Sequence, residues 1–457
     1  MQKKLIDRNI CEKLFGDDVS IQFMTSSRVR QSTYRKVAWR MIPFLLLCYM
    51  MATIDRFNIG FAKLQFLHDL KLDDGMYGIA AGIFYIGYIA LEVPSNLWLV
   101  RTGVRRTLLR IMVSWGAVTC ATMLAHSAIV FYILRFLLGV AEAGFFPGIL
   151  FYITLWFPDR LRGRITSLFV TAVPLGGVIA GPASGLTMQH LDGVAGFHGW
   201  QWLFMIEGLP TVVLGVIAYF YLADNVASVR WLSAEEKGVI AAELALDQRD
   251  RETHGASFLA SLKDPRVYML AFVYFCFFSS LTTVLLWMPS ILKDVVGQTI
   301  GSTGWISGGL SLLSTVGMVF VGYSSDKFRE RRWHVSMCGF AASASFVLLP
   351  VAHGNLIFTV ALLAVASVSV FSILGLFWTI PSAYLSHSAA AGGIATISSL
   401  GGLGGAFSTM VIGAISVRFG NLYAGIDFMA ALTSIGMLTL LCGFPRQSHS
   451  VETAENY

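Results

Sequence analysis

A helix that crosses a bilayer needs about 20 predominantly apolar residues, and this chain meets that length again and again. Twelve apolar spans can be read, at about 39–61, 76–99, 108–127, 129–156, 165–189, 200–222, 267–292, 302–323, 335–352, 356–384, 391–417 and 424–444. In hydrocarbon every backbone amide must be satisfied inside its own segment or in a closed barrel. Segments of this length are therefore expected to be helices, and the chain an all-α membrane protein with twelve transmembrane helices. Only 13% of the residues are Asp, Glu, Lys or Arg, about half the share of a soluble domain.

The connections fix an orientation. Of the 33 Lys and Arg, 27 fall in the segments expected on the side of the termini, four on the other side and two inside spans. Basic residues concentrate in cytoplasmic loops, so both termini of this multi-pass protein are expected in the cytoplasm. The predicted organisation is a basic tail (1–38), a six-helix half (39–222), a connecting loop (223–266), a second six-helix half (267–445) and a short tail (446–457). In the loop, Ser233 followed by Glu235 and Glu236 predicts a capped helix start.

Other classes are disfavoured. The six cysteines are scattered, with no CxxC and no histidine spacing, and read as small apolar residues rather than disulfides or metal ligands. No cleavable signal peptide is visible in the polar, basic first forty residues. The glycine clusters Gly176-Gly177 and Gly401–Gly405 lie inside spans and suit close helix packing and bending. They lack the context of a phosphate loop. No cofactor, no metal and no nucleic-acid partner is expected, and no enzymatic constellation is found. The partner expected from composition is the bilayer, with a monomer as the assembly.

Two spans carry charge where charge is costly. Asp55 and Arg56 lie in the first, and Arg135 and Glu142 in the fourth. Seven residues apart on a helix, Arg135 and Glu142 share one face about 10 Å apart. Intramembrane ionisable groups are functional-site candidates. An arginine presents a planar fork that matches a carboxylate and stays charged when desolvated, so Arg56 and Arg135 are candidate anion binders. Asp55 and Glu142 can take a proton facing one side and lose it facing the other, and are candidate proton carriers. The alternative is two salt bridges that only lock helices. Tyr85 and Tyr88, with Trp287 and Trp378, are candidates to stack on a substrate ring or to pack helices. Asn58, Ser398 and Ser399 could donate hydrogen bonds. Glu207 reads as a structural partner.

The two halves echo each other. Arg101-Thr102-Gly103-Val104-Arg105-Arg106 follows the second span, and Gly322 through Arg332 follows the eighth. Parallel six-span repeats with a site between them are a transporter plan. The second loop, Gly322…Asp326-Lys327…Arg331-Arg332, resembles the signature loop of the major facilitator superfamily. Within that superfamily the chain resembles the anion:cation symporter family. The likeness runs through Ile54-Asp55-Arg56-Phe57-Asn58-Ile59-Gly60, Val93-Pro94-Ser95-Asn96, Arg135 to Gly148, Gly199 to Pro210, Arg331 to His334 and Phe377-Trp378…Pro381. It implies a proton-coupled permease whose partners are a small organic carboxylate and protons, in a bacterial inner membrane or, as the alternative, a fungal plasma membrane, with substrate on Arg56 and Arg135 and protonation on Asp55 and Glu142. It also implies a cytoplasmic gating motif of Gly322, Asp326, Lys327, Arg331 and Arg332, with Arg101, Arg105 and Arg106 in the first half. There are two departures. Val100 stands where the first loop usually has an acid, implying a weaker latch in that half. Serines and glycines replace the asparagines frequent in the eleventh span, which favours a flat or aromatic acid over a polyhydroxylated one. An exchanger or uniporter on the same fold is the alternative function.

Overall fold

A computed structural model describes residues 17–253, 264–296, 299–328, 330–384 and 387–444. The outer parts of both predicted tails, 1–16 and 446–457, lie outside these, as does 254–263 of the connecting loop. Sixteen α-helices are described. They are α1 (Asp17–Asp69), α2 (Asp74–Thr102), α3 (Val104–Thr122), α4 (Ala128–Glu142), α5 (Phe145–Thr154), α6 (Asp159–Val170), α7 (Ala172–His190), α8 (Gly199–Tyr221), α9 (Ala234–Thr253), α10 (Pro265–Val296), α11 (Ile300–Phe328), α12 (Arg332–Ala352), α13 (Leu356–Phe377), α14 (Thr379–Tyr384), α15 (His387–Phe419) and α16 (Leu422–Gly443). The chain is a multi-pass membrane protein of twelve helical crossings, with α9 outside them. Three crossings are pairs of shorter helices: α4 with α5, α6 with α7, and α13 with α14.

Eleven crossings are long and apolar enough to span by composition alone. The twelfth, α3, opens with Arg105, Arg106 and Arg110, which lower its mean hydropathy. It is held by packing instead. Gly116 and Gly208 bring α3 and α8 so close that a Cβ on either would lie 2.7 Å from the other's carbonyl oxygen.

The first helix runs back to Asp17, so part of the predicted tail is helical. No proline or glycine interrupts it between Asp17 and Pro43, and it docks on α9 through Lys36 to Glu236 at 2.9 Å and Arg30 to Glu243 at 3.1 Å. Ser233 and Glu236 close a reciprocal cap at the start of α9. The Ser233 hydroxyl accepts from the Glu236 N–H at 3.1 Å, and the Glu236 carboxylate accepts from the Ser233 N–H at 2.8 Å.

The breaks have local causes. Gly144 takes a left-handed backbone (φ +87) between α4 and α5, and a Cβ there would also run 2.5 Å from the Ser95 hydroxyl. Irregular backbone at membrane depth is tolerated only where protein buries it or it lines a cavity. Glu142, the last residue of α4, sits at this break.

The two halves meet most closely on the side away from the termini. There α7 crosses α11, where a Cβ on Gly181 would lie 2.7 Å from the Gly308 nitrogen and one on Gly185 2.8 Å from the Ile300 oxygen. On α1, a Cβ on Gly60 would lie 3.0 Å from the Leu286 oxygen of α10. Hydrogen bonds join the halves at the same level. The Tyr77 hydroxyl donates to the Leu286 carbonyl (3.1 Å), Lys293 to the Leu64 carbonyl (3.1 Å), the Gly301 N–H to Gln189 (3.1 Å) and the Ser416 hydroxyl to Asp74 (2.7 Å).

Candidate functional site

A cavity of about 120 Å³ lies between the halves, on the termini side of this closure. Its walls are strongly aromatic: Tyr49, Phe84, Tyr85, Tyr88 and Phe146 from the first half, and Tyr274, Phe278 and Trp378 from the second. Two charged residues line it, Arg56 and Glu92. Both come from the first half. The second half contributes apolar and aromatic side chains, Ser398 and Gly402.

Arg56 does not pair with its neighbour Asp55. It reaches across to α4, where its Nη2 lies 2.5 Å from Glu142 Oε1. The Glu142 side chain is fully buried, while that of Arg56 is 23% exposed, toward the cavity. The pair is incompletely satisfied: Arg56 Nε and Glu142 Oε2 are buried without a hydrogen-bond partner. The Arg56 guanidinium also stands 5.5 Å from the Tyr88 ring centre and 5.9 Å from that of Phe84.

Arg135 is buried at 4% exposure. Its guanidinium lies 5.0 Å from the Phe84 ring centre, and Phe84 lines the cavity while Arg135 does not. Arg135 Nε is buried without a hydrogen-bond partner. A buried guanidinium with an unfilled donor is costly.

Asp55 belongs to a separate buried network. It accepts from the Thr119 hydroxyl at 2.9 Å and from Asn58 at 3.3 Å. Asn58 also donates to Glu207 at 2.6 Å, and the Ser184 hydroxyl donates to the other Glu207 oxygen at 3.3 Å. These contacts join α1, α3, α7 and α8, with Glu207 as an interhelical partner and Asn58 inside the network rather than in the cavity wall.

Of the six residues expected to bind substrate, Arg56, Tyr85, Tyr88 and Trp378 line the cavity. Arg135 lies behind Phe84, and Ser398 lines the wall where Ser399 does not. Trp287 sits away from the cavity, with its ring centre 3.9 Å from the Lys63 ammonium.

Two residues were missed in the sequence. Glu92 follows Tyr88 by one helical turn on α2 and lines the cavity, its carboxylate making no hydrogen bond or ion pair among the described residues. Its signal was the spacing Tyr85-Tyr88-Glu92, one helix face ending beside Val93-Pro94-Ser95-Asn96. Lys63, counted as a loop charge, is buried and pairs with Asp74 at 2.8 Å. Its signal was position: two turns beyond Arg56 on an unbroken apolar helix.

The two basic loops differ in how they are tied. Arg331 pairs with Asp326 inside its own loop, and Arg332 donates to the Phe444 carbonyl at the end of α16. Lys327 sits at the end of α11, 5.9 Å from the Phe328 ring centre. In the first half, Val100 supplies no acid, and Asp224 from beyond α8 takes that place. It accepts from the Arg105 N–H at 3.0 Å, and a Cβ on Gly103 would lie 2.8 Å from it. Arg105 donates from Nε to the Tyr219 carbonyl at 2.7 Å. The latch expected to be weaker is anchored from another segment. Arg101 is exposed and Arg106 is exposed beside it.

The sequence model of the Major Facilitator Superfamily matches residues 45–409. The chain belongs to that superfamily. It is 41% identical over 415 residues to NicT of Pseudomonas putida, named as a candidate metabolite transport protein, covering 90% of this chain and 93% of that one. It is 39% identical over 440 residues to a protein of Agrobacterium vitis named as a candidate tartrate transporter, covering 96% of each. A crystal structure of a D-xylose–proton symporter superposes with a TM-score of 0.70 at 15% identity, covering 89% of this chain and 98% of that one. The chain is a membrane transporter, not an enzyme.

Proposed function

We propose that this transporter carries out proton-coupled uptake of a small, flat organic carboxylate across the inner membrane, with both termini cytoplasmic. One observation carries the reading: a buried carboxylate, Glu142, holds an arginine that faces an aromatic cavity, at 2.5 Å. A substrate carboxylate and Glu142 compete for the same guanidinium. Protonating Glu142 frees Arg56, and the substrate anion takes the vacated place. The bound proton and anion together leave the site with the net charge it had before, so the halves can exchange their closed and open sides in either state. The eight aromatic rings around the cavity support a planar acid, and the tartrate and metabolite names of the relatives support an organic one. With the termini cytoplasmic, the closed far side makes this the inward-facing state.

The test is transport in proteoliposomes loaded with a pH-sensitive dye. Aromatic monocarboxylates and tartrate are added under an imposed proton gradient. Internal acidification that tracks uptake of one of them supports symport. Substrate counterflow without proton movement favours the exchanger and removes Asp55 and Glu142 from coupling. No movement of any carboxylate overturns the substrate class.

A further inference from the structure

A second cavity is larger than the central one. A groove of about 760 Å³ lies at the termini side between residues 30–43 of α1 and the helix α6. Four arginines line it, Arg30 and Arg35 on α1 and Arg160 and Arg164 on α6, and its lining contains no acid. Glu243 of α9 pairs with Arg30 at 3.1 Å and with Arg160 at 2.8 Å, at the edge nearest α9. Arg35 and Arg164 are exposed and make no ion pair among the described residues.

The other end of the groove is apolar, with Pro43, Ile165 and Leu168 among its walls. Trp39 stands between the two ends, 72% exposed. An amphipathic ring at the boundary between charge and hydrocarbon marks the membrane–water interface. Charge at one end, an apolar floor at the other and an interfacial ring between them follow the order of polarity along one phospholipid: headgroup, glycerol and the start of the acyl chains. Basic pockets between transmembrane helices are suited to anionic headgroups.

We propose that this groove is a binding site for an anionic phospholipid, whose phosphate lies between Arg35 and Arg164 and whose acyl chains run along Pro43, Ile165 and Leu168. Charge complementarity selects the occupant: a zwitterionic lipid brings its own cation to four arginines, whereas an anionic one brings only negative charge. The site is distinct from the substrate cavity and shares no lining residue with it.

The full chain is titrated in mixed micelles with brominated phosphatidylglycerol or brominated phosphatidylcholine, and quenching of tryptophan fluorescence is followed. The wild type is expected to bind phosphatidylglycerol more tightly, with a preference that falls as salt rises. R35Q/R164Q is expected to lose about thirtyfold in that preference, from roughly fivefold for each basic residue near an anionic surface. R35K/R164K is expected to keep most of it. No lipid preference in the wild type, an unchanged preference in R35Q/R164Q, or an equal loss in R418Q, at the opposite side of the protein, would each overturn the proposal. If R35Q/R164Q does not fold, W39F decides. Removing that one ring is expected to abolish the quenching that distinguishes the two lipids, and unchanged lipid-selective quenching overturns the site.

Discussion

Replacing Glu142 by glutamine separates the competitor from the proton carrier. Glu142 and Arg56 meet at 2.5 Å. Two unit charges about 4 Å apart at an effective dielectric of about 20 attract by roughly 4 kcal/mol. Arg56 is partly open to the cavity, so solvent screening reduces this, and about 1.4–3 kcal/mol is left as the barrier an entering carboxylate must overcome. Glutamine keeps the shape and removes the charge. Substrate is then expected to bind about 10 to 100 times more tightly in the variant at high pH. The pH dependence is more diagnostic than the affinity. In the wild type one proton must bind for the anion to enter, so Kd is expected to rise with pH, by up to about tenfold per unit. In Glu142→Gln it is expected to be flat between about pH 5 and about pH 8. Uphill uptake is lost in the variant, while counterflow remains. Empty, the variant leaves Arg56 unpaired, so its melting temperature is expected to fall and to be raised by substrate more than in the wild type. Calorimetric titration across pH measures all but the transport. A Kd in the variant that keeps the wild-type pH slope, or weaker binding at every pH, would refute the competition between substrate and Glu142.

Arg135→Ala is expected to abolish substrate binding and Arg135→Lys to restore it poorly, because the planar fork is lost; wild-type affinity in the alanine variant would make Arg135 structural. Lys63→Met removes the ammonium held between Asp74 and Trp287 and leaves Asp74 without its ion partner, so it is expected to lower stability, by less than the roughly 3–5 kcal/mol of a fully buried broken pair because Asp74 is partly exposed. Spin-label distances between the far ends of α2 and α15 are expected to lengthen. Gly181→Leu drives a side chain into Gly304 and Gly308; overpacking by about 1–3 kcal/mol is expected to open the far side, which the same distances across α7 and α11 would report. The Glu236 carboxyl is held below its ordinary range, first by the Ser233 N–H and also by Lys36. A depressed carboxyl stabilises above its unfolded value and ceases to as pH falls through the folded one. Docking of α9 on α1 is therefore expected to weaken on acidification by at most about 1 kcal/mol, seen as faster hydrogen exchange in α9, and Glu236→Gln should remove that dependence.

The crossings were legible because length and apolarity are local properties. Eleven meet the criterion by length and composition alone, and α3 was legible because the apolar stretch from 108 to 127 begins just past Arg105 and Arg106. Arg135 and Glu142 were legible as one face because helical geometry fixes their spacing. Which partner each charge chooses is a matter between helices, and spacing along one helix cannot decide it. Arg56 chose Glu142 on α4 over Asp55 beside it, and Asp55 chose Thr119 and Asn58. The break at Ala143-Gly144 was hidden for a similar reason: a glycine among small residues reads equally as packing surface and as hinge, and only Ser95 pressed against Gly144 shows which. Lys63 was read as a loop charge because the apolar span was ended too early. The acid absent at Val100 was sought in the loop, whereas Asp224 lies 124 positions along the chain.

Both charged residues in the cavity wall belong to the first six crossings, while the second half offers rings, methyls and a hydroxyl. On the function proposed above, a lineage of such proteins can drift in what it recognises through Tyr274, Phe278, Leu374, Trp378 and Ser398 without disturbing the Arg56–Glu142 pair. Chimeras joining the first half of this chain to the second half of a relative with a different cargo should inherit energetics from one parent and taste from the other.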